Sequence, residues 1–175
     1  MILYADDQFV VHQTMKLTLI QPNDLEERFL CYSNGQQVLK AIDTIFLSIE
    51  QDQISKNQGP VSPSIEQKGK QNPQIQAFQP IAVAIIDINM PILDGLKTVK
   101  HLKQKYKDLN DRLAYNGRDQ GGMTPEIVRP LIVHLTQFEE SIKQFIIEEE
   151  KADVFLHKPI PDAELLALLK LLRLI

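Results

Sequence analysis

Residues 81–86 read Ile-Ala-Val-Ala-Ile-Ile, and Asp87 follows at once. An unbroken apolar run of this length belongs to a strand buried on both faces, the central strand of a parallel sheet. Similar short runs lie on either side. Residues 2–5 (ILYA) lead into Asp6-Asp7, and residues 28–33 (RFLCYS) form another run. Residues 131–135 (LIVHL) lead into Thr136, and residues 154–157 (VFLH) into Lys158.

Between these runs the apolar period changes to that of a helix. Val11, Met15 and Leu19 mark one helix over 8–21. Asn34-Gly35 opens a second, with Val38, Leu39, Ile42, Ile45, Phe46 and Ile49 on one face. Asp94 caps a third carrying Leu96, Val99, Leu102 and Tyr106. Phe138, Ile142, Phe145 and Ile146 mark a fourth, and the leucine-rich stretch from Asp162 onward a fifth. Five strands alternating with five helices predict a doubly wound α/β fold, a five-stranded parallel sheet with helices on both faces. The whole chain, 1–175, reads as one domain. Two stretches interrupt it. About 51–80 is rich in Gln, Pro, Ser, Asn and Lys and has few apolar anchors, so it reads as a long loop insertion. About 105–129, with Asn116-Gly117, Gly121-Gly122 and Thr124-Pro125, reads as a second.

Composition narrows the function. A net charge of −4 and a pI near 5.6 leave no basic stripe for nucleic acid. Lys97, Lys100, Lys103, Lys105 and Lys107 read as a solvated helix face. A single cysteine, Cys31, excludes an internal disulfide and a cysteine-built zinc site; lying in an apolar run, it reads as a small buried residue. The apolar runs are too short to span a membrane, and the start resembles no signal peptide. The strand-like opening at residue 2 reads as a domain of a longer protein. The expected location is the cytoplasm.

The polar residues that close the strands carry the chemistry. In an open parallel sheet the strands' carboxyl ends share one edge, and ligands bind in the crevice where strand order reverses. Asp6, Asp7, Asp87, Thr136 and Lys158 therefore converge. Three neighbouring carboxylates repel one another unless a cation neutralises them. With no imidazole or thiolate beside them, the site calls for a hard cation such as Mg²⁺. A lysine supplies a point charge for a phosphate oxygen, and a threonine hydroxyl a donor. Such a set suits phosphoryl transfer, with Asp87 as a carboxylate nucleophile. Taken singly, each feature has a plainer reading: Asp-Asp a turn or cap, Thr a cap, Lys-Pro a turn. Their placement at successive strand ends is what joins them.

The chain resembles the receiver domain of two-component response regulators. The resemblance rests on residues 2–7 (ILYADD), 33–39 (SNGQQVL), 130–136 (PLIVHLT) and 155–159 (FLHKP). Its most specific block is 87–95, Asp-Ile-Asn-Met-Pro-Ile-Leu-Asp-Gly. The resemblance implies a flavodoxin-like receiver fold and a role for each site residue. Asp87 would be the phosphoacceptor. Asp7 would be a direct Mg²⁺ ligand, Asp6 a ligand largely through water, and Asn89 the donor of a backbone carbonyl. Thr136 would be the switch hydroxyl, Lys158 the partner of a phosphoryl oxygen, and Phe155 the aromatic whose rotamer follows Thr136. A cis peptide is expected at Lys158-Pro159. The phosphoryl donor would be a histidine kinase or a histidine phosphotransfer protein. The protein would catalyse only its own phosphorylation and dephosphorylation. Output would pass through the last two helices, to an effector or a phosphorylation-dependent dimer.

Gln137 after the threonine, phenylalanine rather than tyrosine at 155, and a missing glycine before strand five depart from the family pattern. Two alternatives remain open at this level. A haloacid-dehalogenase-like phosphatase would need a second aspartate where Asn89 stands. A degenerate receiver would serve as a phosphorylation-independent protein-binding module. The four histidines show no metal-ligand spacing.

Overall fold

The computed structural model describes residues 1–57, 80–118, 126–137, 152–160 and 162–174. Five strands form one sheet: β1 (Ile2–Ala5), β2 (Phe29–Tyr32), β3 (Val83–Asp87), β4 (Leu131–Thr136) and β5 (Val154–His157). All pairings are parallel and the order is β2-β1-β3-β4-β5. Strand order thus reverses between β1 and β3, which puts the crevice beside Asp6, Asp7 and Asp87. β3 is the middle strand and is buried along its whole length, as its apolar run requires.

The described helices are α1 (Phe9–Met15), α2 (Gly35–Asn57), α3 (Gly95–Arg118) and α4 (Asp162–Leu171). α1 continues into a π-helical turn at Lys16–Ile20, a wider winding that leaves both Leu19 and Ile20 buried. It ends in a short 3₁₀ turn at Gln21–Asn23, where Pro22 lacks an N–H and Asp24 is left-handed with φ 52°.

Two apolar cores flank the sheet. On one face Val38, Ile42, Phe46 and Ile49 of α2 meet Val99, Leu102, Tyr106, Leu109 and Leu113 of α3, over Leu3, Ala5, Ala84, Ile86 and Ile132. On the other, Met15, Leu19, Leu165 and Leu169 cover Ile2, Tyr4, Val83, Ile85, Val133 and Leu135. The alternation along β1 and β4 between these clusters is the strand period of two.

Three expectations need correction. The third helix was expected to give way to a loop insertion from about 105; it runs to Arg118 instead. The spacing Leu102, Tyr106, Leu109, Leu113 keeps one face on the core, and Asn110 exchanges two hydrogen bonds with the backbone of Ile127. The second helix likewise reaches Asn57, past the expected insertion start at 51. Arg112 pairs with Glu50 at 2.8 Å, and Lys105 pairs with Asp43, tying α2 to α3. Cys31 is exposed rather than buried, because β2 is an edge strand and only Phe29 of its residues is fully covered. Of the rest of both insertions, 58–79 and 119–125 lie outside the described residues, as does the helix expected over Phe138, Ile142, Phe145 and Ile146. Among the described residues no helix is long and apolar enough to cross a membrane.

Candidate functional site

The site is built at the carboxyl edge of β1, β3, β4 and β5. Asp6 follows the last residue of β1 and is completely buried. Its amide donates to the Tyr32 carbonyl at 3.1 Å, which extends the pairing with β2 by one residue. Its Oδ1 accepts the Gln8 amide at 2.9 Å, and its Oδ2 accepts the Tyr4 hydroxyl at 3.1 Å. Asp7 is exposed. Asp87 closes β3 and is buried, with Oδ1 accepting the Asn89 amide at 3.3 Å.

Lys158 reaches into this edge from the end of β5. Its amide donates to the Thr136 carbonyl at 2.8 Å, and its peptide bond to Pro159 is cis, as expected. The ammonium Nζ stands 2.6 Å from Asp6 Oδ2 and 2.7 Å from Asp87 Oδ2. It thus bridges two buried carboxylates. Burial alone would lower the lysine's pKa, but the bonds and charges of Asp6 and Asp87 outweigh it and hold the ammonium above its ordinary value. Burial raises the pKa of Asp87; Lys158 opposes this and the charge of Asp6 adds to it. One cation between two carboxylates leaves an excess negative charge, and the exposed Asp7 adds another. Carboxylate oxygens of Asp6, Asp7 and Asp87 all lie within 4.8 Å of one another. This all-oxygen donor set, with surplus charge and one open side at Asp7, fits a hard divalent cation.

The loop after β3 fixes Asp87 through backbone contacts. Gly95 donates to the Ile88 carbonyl at 2.9 Å and lies directly on the strand end. A Cβ at Gly95 would meet the Asp87 carbonyl oxygen at 2.1 Å and Ile88 Cα at 2.8 Å. Only glycine allows that approach. Asp94 caps α3, as expected, by accepting the Lys97 amide at 2.8 Å. On the neighbouring helix Asn34 caps α2 through the Gln37 amide at 3.0 Å, and Gly35 donates to the Leu93 carbonyl at 3.2 Å. Gly35 too leaves no room for a side chain, since a Cβ would meet Thr98 Oγ1 at 1.7 Å.

Of the other expected residues, Thr136 ends β4 and is fully buried, beside Lys158 through the backbone bond above. Asn89 is exposed next to Asp87. Phe155 is half-buried on β5 opposite His134, with ring centroids 5.7 Å apart. His134 is completely buried, and its Nδ1 lies 3.3 Å from the Ile86 carbonyl oxygen. Burial brings its pKa down to about 4, so it is neutral near pH 7. The structure therefore gathers Asp6, Asp7, Asp87 and Lys158 into one cluster with Thr136 and Asn89 at its margin. Tyr4 was missed by the sequence reading. Its signal was available: it lies two residues before Asp6, whose backbone continues the β1 pairing, hence on the same face.

No family model matches this chain and no curated protein matches it. Solved structures do. A two-component response regulator from Legionella pneumophila superimposes with a TM-score of 0.58 at 17% identity, covering 99% of this chain and 98% of that one. The receiver domain of a signal transduction histidine kinase from Syntrophus aciditrophicus gives 0.55 at 18%, covering 98% and 87%. A Francisella response regulator receiver domain gives 0.54 at 18%, covering 98% and 93%. At such identities the likeness is one of architecture, and it extends over nearly the whole chain. The chain has the flavodoxin-like fold of the response-regulator receiver domain.

Proposed function

We propose that the protein is a phosphoacceptor receiver that takes a phosphoryl group on Asp87 from a phosphohistidine on a histidine kinase or histidine phosphotransfer protein. The observation that carries this reading is the position of Lys158 Nζ between Asp6 Oδ2 and Asp87 Oδ2, with Asp7 within reach of both carboxylates. A carboxylate oxygen of Asp87 attacks phosphorus, the P–O bond forms, and the P–N bond to the donor imidazole breaks; the imidazole leaves and takes up a proton from solvent. Asp6, Asp7 and Asp87 would hold Mg²⁺, with the Asn89 carbonyl as a further ligand. The ion supplies charge neutralisation for the phosphoryl oxygens.

The chain's own groups do the rest. Lys158 moves its charge from Asp87 to a phosphoryl oxygen, a short shift because it already faces that carboxylate. Thr136 offers its hydroxyl to another oxygen, and Phe155 on β5 follows into the space Thr136 leaves at the end of β4. The result biases a two-state surface around β5 and α4 rather than acting by long-range repulsion. In this reading the protein turns over only its own phosphoryl group.

The test is a thermal shift with fluoroberyllate, which mimics a phosphoryl group on a carboxylate. A rise in melting temperature that needs both Mg²⁺ and Asp87 supports the reading. No shift in the wild type contradicts it.

A further inference from the structure

Tyr4 lies within β1 and is completely buried. Its ring packs with Met15, Leu19 and Phe29 and stands edge-on to His12, with centroids 5.5 Å apart and planes at 65°. That packing accounts for an aromatic ring but not for the hydroxyl, since a phenyl ring would fill the same space. The hydroxyl donates to Asp6 Oδ2 at 3.1 Å. The same oxygen faces Lys158 Nζ at 2.6 Å, and the other oxygen of Asp6 accepts the Gln8 amide. Lys158 is shared with Asp87 at 2.7 Å, so any event that draws the lysine toward Asp87 weakens its hold on Asp6. Tyr4 sits within β1, two residues before Asp6, and does not take part in that exchange.

We propose that Tyr4 is a positioning residue for the divalent cation: its hydroxyl keeps the Asp6 carboxylate turned toward Asp7 and Asp87 whether or not Lys158 is bound to it. This rests on the receiver reading above. A carboxylate that loses one of its fixing donors rotates more freely, and loss of such an outer partner typically costs about 10- to 100-fold in metal affinity.

The experiment measures Mn²⁺ affinity from the paramagnetic resonance signal of the free ion, on the wild type, Tyr4→Phe, and a chain with para-aminophenylalanine at position 4. The last keeps the ring and a donor in place of the hydroxyl. Asp7→Asn serves as the reference for a lost ligand. Tyr4→Phe is expected to bind Mn²⁺ at least about tenfold more weakly. The para-amino chain is expected to bind within about twofold of the wild type, since its donor preserves the outer partner. If Tyr4→Phe does not fold in EDTA, para-fluorophenylalanine, which has no donor, takes its place. Equal affinity of wild type and the donor-free variant overturns the proposal while leaving the receiver reading intact. Equal weakening in the donor-free and para-amino chains also overturns it, because packing alone would then be the cause. A wild type that binds no more Mn²⁺ than Asp7→Asn removes the metal site itself, and both readings fall.

Discussion

Lys158 Nζ lies 2.7 Å from Asp87 Oδ2, and both side chains are almost wholly withdrawn from solvent. The lysine sets a positive charge against a carboxylate whose burial resists ionisation. Because Asp6 stands on the other side of the same ammonium, the pair is in fact a triad, and its energetics differ from a surface ion pair.

Removing that ammonium leaves two buried carboxylates facing each other. Lys158→Met is expected to destabilise the protein in EDTA at pH 7 by about 3 kcal/mol. Saturating Mg²⁺ should recover much of that loss, since a divalent cation replaces the missing charge. Urea unfolding with and without the metal measures both quantities.

Gly95 supports Asp87 through the backbone alone. Gly95→Ala would place a methyl 2.1 Å from the Asp87 carbonyl oxygen, so the strand end must move. The expected loss is about 2 kcal/mol of stability. Fluoroberyllate binding should weaken as well, even though no side chain of the site is changed. Calorimetry in both states checks this.

Asp153 joins the start of β5 to β4. It takes Arg129 through two bonds, at 2.6 and 2.8 Å, and its Oδ2 also accepts the Ile132 amide at 2.8 Å. The bond from Arg129 holds its carboxyl below the usual range. Asp153→Ala is expected to cost about 1–2 kcal/mol, because the Ile132 amide loses its partner. Asp153→Asn, which keeps an acceptor for that amide, should cost less. Chemical denaturation of the two variants separates the contributions.

His134 gives the fold a pH dependence. In the folded protein its pKa is about 4, against 6.5 for an ordinary imidazole. Between those values the unfolded chain binds a proton that the folded chain does not. Stability from this residue is therefore present above about pH 6.5 and falls as pH drops toward 4, by roughly 3 kcal/mol in all. His134→Leu should flatten that part of the stability curve. Unfolding free energies at pH 7 and pH 5 for both chains test it.

Much of the site was legible because strand ends can be read from the sequence. β1 and β5 fall on the expected residues, and once the sheet is parallel their ends must lie together. Asp6, Asp87 and Lys158 needed no more than that. α3 was cut short because Asn116-Gly117 and the glycines beyond it are strong turn signals, while Leu109 and Leu113 are sparse among lysines and aspartates. Cys31 was misplaced because residue type says nothing of a strand's place in the sheet. The Tyr4–Asp6 bond depends on side-chain rotamers at a strand end, which strand periodicity narrows to a face but does not fix.

The most direct measurement is intact mass after incubation with phosphoramidate and Mg²⁺, comparing wild type with Asp87→Asn. Phosphorylation of Asp87 predicts a gain of one phosphoryl group in the wild type, dependent on the metal and absent from the variant. A wild type that gains nothing, or a variant that gains the same mass, would contradict it.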